Sequence, residues 1–148
     1  MNKKELLKEI AKAAKEGWKT LDLTNKGLTE LPTEISQLKN LTELDVSSNK
    51  LTSLPETIGQ LINLTRLKLS FNKLTVFPPD IGKLINLTEL CIDGNELTEL
   101  PSEIGQLVNL RLLDASNNRL VRLPAEVTQL TNLKTLALAG NQIASLLV

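Results

Sequence analysis

The chain shows two hydrophobic rhythms. Over residues 3–16, Leu6, Leu7, Ile10 and Ala14 recur at helical spacing among lysines and glutamates, which predicts an amphipathic α-helix. Asn2 and Glu5 spell a capping box at its start, and Gly17 is a C-terminal stop. Beyond this segment the period becomes 23 residues and hardly drifts: the units are 28–50, 51–73, 74–96, 97–119 and 120–142, followed by a partial unit, 143–148. Three apolar columns run through them. The first is Leu41, Leu64, Leu87, Leu110 and Leu133; the second is Leu44, Leu67, Leu90, Leu113 and Leu136; the third is Val46, Leu69, Ile92, Ala115 and Leu138. Asparagine recurs at 49, 72, 95, 118 and 141.

Each unit reads as one coil of a stack. Leu44 and Val46 lie two residues apart, so they share one face of an extended strand while Glu43, Asp45 and Ser47 take the other. Successive strands then lie parallel, about 4.8 Å apart. The irregular backbone after the strand has amide and carbonyl groups to satisfy. An inward asparagine carries both a donor and an acceptor for that task. Proline at 32, 55, 78, 101 and 124 suits the first position of a short helix on the return path. The acids that follow (Glu34, Glu56, Asp80, Glu103 and Glu126) favour its positive end and otherwise read as a solvated face.

The string Leu41-x-x-Leu44-x-Val46-x-x-Asn49-x-Leu51, repeated in each later unit, resembles the leucine-rich-repeat family over residues 18–148. The Leu-Pro-x-x-Ile-Gly-x-Leu half is similar to the intracellular 23-residue type found in Ras-binding scaffold proteins. The segment Ala-Lys-Glu-Gly-Trp-Lys-Thr-Leu-Asp-Leu at 14–23 is similar to the start of microbial Roco GTPase repeat domains. The resemblance implies an α/β fold: a right-handed solenoid with a parallel concave sheet, short helical turns on the convex side and an N-terminal capping helix. One continuous domain is expected, with residues 1–27 as the capping helix and an incomplete first repeat, and 28–148 as five repeats plus a partial one. Trp18 takes the place of a leading Leu, and Lys26 takes the asparagine position. The segment 135–148 has no matching cover, which makes it a candidate for weak self-association through an open strand edge.

Composition narrows the function. Seventeen basic and 17 acidic residues give zero net charge, which argues against a nucleic-acid partner. No long apolar run suggests a membrane span, and the 3–16 helix reads as a cover for the first coil in preference to a membrane-surface helix. Cys91 is the one cysteine, which favours a reducing, cytoplasmic setting. On that setting the sequons at Asn40, Asn63 and Asn86 read as by-products of the repeat. There is no histidine, zinc pattern or phosphate-cradling glycine loop, so no catalytic residue, metal or cofactor is expected.

The outward strand positions, unlike the structural ones, vary from unit to unit. Arg66, Lys68 and Phe71 form a basic-aromatic patch, ringed by Glu43, Asp45, Glu89, Asp93 and Asp114, with Cys91 and Leu112 adding apolar surface. Arginine and aromatic residues are favoured interface anchors. Arg66 pairing with Glu43 or Glu89 across the strands is the competing, purely structural reading. The expected function is a protein-interaction module binding a protein or peptide on these ten residues. The alternatives are a structural or engineered scaffold without a natural partner, and the sensor fragment of a larger signalling GTPase.

Overall fold

The computed structural model describes residues 1–146; Leu147 and Val148, the end of the proposed 135–148 edge, lie outside the described residues. Helix α1, Lys3–Glu16, carries the capping box, with the Asn2 side chain accepting from the Glu5 N–H at 2.8 Å and the Glu5 carboxylate accepting from the Asn2 N–H. Gly17 closes it in the left-handed region at φ +64°. The buried stripe is Leu6, Ile10 and Ala13. Ala13 therefore takes the place assigned to Ala14, and Leu7 and Ala14 lie half-buried on the neighbouring row. The helix packs on the first turn of the solenoid and covers its end.

Each later coil gives one three-residue strand. Strands β1 (Thr20–Asp22), β2 (Glu43–Asp45), β3 (Arg66–Lys68), β4 (Glu89–Cys91), β5 (Leu112–Asp114) and β7 (Thr135–Ala137) form one parallel sheet in chain order. The register pairs Leu21 with Leu44, Leu44 with Leu67, and so on, so the sequence period is also the strand register. Leu44, Leu67, Leu90 and Leu113 are completely buried, as are Val46, Leu69, Ile92 and Ala115 behind them. Leu136 of β7 remains 38% exposed at the open end of this spine. A second, two-stranded parallel sheet joins β6 (Arg122–Leu123) to β8 (Ser145–Leu146), an element that sequence reading did not anticipate.

The repeated asparagines point inward. Asn95 Nδ2 donates to the carbonyls of Ile92 in its own coil and Leu69 in the coil before, both at 3.0 Å, and its Oδ1 accepts from the Leu74 N–H. Asn49, Asn72, Asn118 and Asn141 repeat this arrangement. Asn49 also serves the incomplete first coil, accepting from the Lys26 N–H where Lys26 has displaced an asparagine.

The return path corrects one expectation. Thr33–Gln37, Glu56–Gln60, Pro79–Lys83, Ser102–Gln106 and Ala125–Gln129 are 3-10 turns, and Pro32, Pro55, Pro78, Pro101 and Pro124 sit just before them in extended backbone instead of at the first helical position. Five residues are too few for an α-helical ladder, so the tighter i to i+3 bonds win. The turns stack closely. A Cβ on Gly59 would lie 2.7 Å from the Asp80 carbonyl oxygen, and one on Gly105 would lie 2.7 Å from that of Glu126.

Candidate functional site

All ten residues singled out in the sequence lie on the open face of the main sheet or on the loop edge that continues it. The pairing sets Glu43, Arg66, Glu89 and Leu112 side by side in one row and Asp45, Lys68, Cys91 and Asp114 in the next. Asp93 and Phe71 follow β4 and β3 respectively, on the coil edge.

The basic patch does not stand free. Arg66 lies between two acids, with Nη1 3.8 Å from Glu43 and Nε 3.7 Å from Glu89, while Lys68 Nζ is 3.5 Å from Glu43. These pairs are solvent-facing and contribute little to stability, but they neutralise both cations. The structural alternative for Arg66 therefore describes its geometry. What remains is acidic. Asp45 accepts from the Ser47 N–H at 3.0 Å, Asp114 from the Ser116 N–H at 3.1 Å, and Asp93 from the Ser70 hydroxyl. Asp22, at the N-terminal margin, accepts from the Thr24 N–H and hydroxyl, which hold its carboxyl below the usual range. Cys91 is half-buried among these acids; burial first, then the charges of Asp93, Asp114 and Glu89, push its thiol up to about 11.

The loop edge holds a column that periodicity alone does not mark. Asn25, Ser48, Phe71, Gly94, Asn117 and Gly140 all have positive φ, from +53° at Asn25 to +72° at Gly140. Glycine and asparagine tolerate this region, whereas a bulky side chain there is strained. Phe71 is the bulky exception, at φ +56°, and its side chain is left outside the core with 61% of the residue exposed. The signal was available in the sequence: Phe71 aligns with Asn, Ser and Gly in every other coil.

Among the described residues, no group of three or more His, Cys, Asp or Glu is placed to hold a metal ion. No described helix is long and apolar enough to cross a membrane.

Two overlapping stretches, residues 17–95 and 78–146, match the family model described as a leucine-rich repeat region. Similar solved structures include a leucine-rich-repeat protein of Leptospira interrogans, 44% identical with a TM-score of 0.74, over 85% of this chain and 38% of that one. The plant peptide hormone receptor RGFR1, in complex with RGF2, is 43% identical with a TM-score of 0.69, over 79% of this chain and 19% of that one. The leucine-rich-repeat ectodomain of the receptor kinase SOBIR1 from Arabidopsis thaliana is 27% identical with a TM-score of 0.72, over 85% of this chain and 71% of that one. This chain therefore spans well under half the length of the first two. No curated protein sequence matches it. With coils stacked in register and matched stretches covering nearly its whole length, the chain belongs to the leucine-rich-repeat family.

Proposed function

We propose that the chain is a protein-interaction module, not an enzyme, that takes a protein or peptide partner on the open, concave face of its sheet. The contact set is Glu43, Asp45, Arg66, Lys68, Phe71, Glu89, Cys91, Asp93, Leu112 and Asp114. The observation that carries this reading is Phe71. A large apolar side chain is kept in a strained conformation and left in solvent beside a rigid, acid-rich wall, and strain of this kind collects at ligand-binding positions. Phe71 is the anchor, and Leu112 and Cys91 extend its apolar contact. Asp45, Asp93 and Asp114 set register by attracting cationic groups of the partner. A similar solved structure is a peptide hormone receptor in complex with RGF2, which supports a polypeptide partner. Neither nucleic acid nor a membrane surface suits a face where carboxylates outnumber cations.

The same reading treats residues 1–27 as cap and incomplete repeat, and 28–148 as the binding body, within one domain. A cytoplasmic setting fits a lone cysteine held as its neutral thiol. The likeness to Ras-binding scaffolds and Roco repeat domains extends the proposal to a signalling context, where the chain would act as a sensor segment. Weak self-association through residues 135–148 belongs to the same proposal, with the exposed Leu136 as its apolar contact.

The test is affinity capture with the wild-type chain beside a Phe71→Ala/Asp114→Lys variant, both checked for unchanged melting. Loss of specific prey from the variant supports the open face as the contact surface. Identical prey from the two would overturn it.

A further inference from the structure

The residue just before each strand of the main sheet forms a column: Lys19, Thr42, Thr65, Thr88, Arg111 and Lys134. Its middle is closed on itself. Thr42, Thr65 and Thr88 donate their hydroxyl protons to the carbonyls of Lys19, Thr42 and Thr65, each at 3.1 Å. Two residues earlier in the coil, Asn63, Asn86, Asn109 and Asn132 each donate an amide proton to a carbonyl of the coil before, at 2.7–2.8 Å. The pattern breaks at Arg111 and Lys134, both exposed. Their backbones are direct neighbours, since the Lys134 and Thr135 N–H groups both donate to the Arg111 carbonyl, at 2.8 and 3.0 Å. Among the described residues, neither cation forms an ion pair with a carboxylate. Both line a shallow cavity of about 420 Å³ on the open face, together with Arg66, Glu89, Leu112 and Thr135.

The charges in this cavity do not cancel. Its one carboxylate, Glu89, lies 3.7 Å from Arg66, which also faces Glu43 at 3.8 Å. The row that carries Glu43, Arg66 and Glu89 continues as Leu112 and Thr135, which are neutral. Arg111 and Lys134 are therefore left as two like charges side by side, an arrangement that is destabilising without a counter-charge. We infer that Arg111 and Lys134 bind a single phosphomonoester carried by a polypeptide partner, with the exposed Thr135 hydroxyl as a third donor. The inference rests on the open-face reading for its partner. Two features select the ligand. A phosphomonoester carries about −1.5 to −2 charges at neutral pH, which matches two cations, whereas one carboxylate leaves a positive charge over. The site is also isolated. Asp45, Asp93 and Asp114 occupy the rest of the face, so a nucleic-acid strand or an anionic lipid surface, with many phosphates, is repelled where one phosphate is not. Half-buried Leu112 supplies apolar contact for the carbon that bears the phosphate.

The experiment titrates the isotope-labelled full chain at low salt with phosphoserine blocked at both ends, to about 10 mM, because a shallow charged site binds in the millimolar range. Separate arms use inorganic phosphate, a blocked Asp-Asp dipeptide of similar charge, a ten-residue oligothymidylate and phosphatidylserine vesicles. The expected result is that blocked phosphoserine shifts the Arg111 Nε–H signal and the Leu112 and Thr135 backbone amides. An Arg111→Gln/Lys134→Gln variant, exposed at both positions, should bind about tenfold more weakly. A Lys50→Gln/Lys73→Gln variant, which removes another pair of exposed cations one coil apart but outside this cavity, should bind as wild type does. The inference is overturned if those signals do not move, if the dipeptide or inorganic phosphate binds more tightly than the ester, if the Lys50/Lys73 variant weakens binding equally, or if the oligonucleotide or vesicles bind more tightly per phosphate. The titration needs no partner, so its failure rejects the phosphate subsite and leaves the capture test of the open face standing. Identical prey in that capture test, with the titration intact, rejects the open face instead.

Discussion

The ring of Phe71 lies so close over Gly94 that a Cβ on Gly94 would sit 2.6 Å from Phe71 Cδ1. The two residues hold consecutive left-handed positions, at φ +56° and +68°. A side chain at 94 would push the ring away, so the glycine makes room for the aromatic. Replacing Phe71 with Asn, which accepts the same backbone at lower cost, is expected to raise stability by about 0.5–1 kcal/mol while abolishing partner capture. Denaturant midpoints beside capture assays check both halves. A lower midpoint would mark the ring as a structural residue and remove the argument for an anchor.

Asn95 joins two coils through its amide. Asn95→Ala is expected to cost about 1–3 kcal/mol by leaving the buried Leu74 N–H unpaired and by taking one of two asparagine donors from each of the Leu69 and Ile92 carbonyls, which Asn72 and Asn118 still serve. Asn141→Ala should cost less, because Asn141 is only half-buried and water reaches its partners. Equal midpoint shifts for the two variants would contradict this account.

Gly82 faces the next turn, with a hypothetical Cβ 2.9 Å from the Glu103 carbonyl oxygen. Gly82→Ala is expected to destabilise by about 1–3 kcal/mol through overpacking. Ser36 holds the corresponding place in the first coil, so the spacing there accommodates a Cβ. Thr128, at the same place in the last full coil, is exposed and donates its hydroxyl to the Ala125 carbonyl, and Thr128→Ala, which keeps the Cβ, should cost no more than about 1 kcal/mol. Thermal or chemical unfolding of the pair reads the contrast directly; indistinguishable curves would remove the close-approach argument.

Cys91 titrates at about 11 against an ordinary value of 9.0. Its thiolate fraction at pH 8 is therefore roughly a hundredfold below that of a free thiol, and modification by a disulfide reagent should be correspondingly slow. Asp93→Asn and Asp114→Asn should each speed it modestly, since burial is the larger cause. The linked effect on stability has a definite sign. The fold favours the neutral thiol, so its contribution is complete below pH 9 and is lost as the pH rises through 11. Cys91→Ser should flatten that part of the stability profile, and an unchanged alkaline slope would show the thiol is not responsible.

Much of this was legible beforehand because one coil dictates the next. Leu44, Val46 and Asn49 have the same neighbours as Leu67, Leu69 and Asn72, so a fixed interval carries strand, core and turn together. Other features were hidden because they depend on distances between coils. Whether Arg66 is free or held by Glu43 and Glu89 is a matter of side-chain reach. The 3-10 geometry after Pro55 follows from how few residues remain for the return path. Pairing of β6 with β8 joins short segments that show no strand-like alternation. Asn63 and Thr65 read as repeats of a common string until their bonds showed which proton each had already committed.

The inward asparagines give the stack a direction. Asn49 satisfies the Leu23 carbonyl and the Lys26 and Leu28 amides, all of them earlier in the chain, and each later asparagine bonds one carbonyl and one amide of the coil before. A coil leaving the ribosome thus carries unmet polar groups until the following coil has been synthesised. Maturation should advance from α1 outward, one coil behind translation, and loss of the last coil should loosen the one before it while the first stays closed.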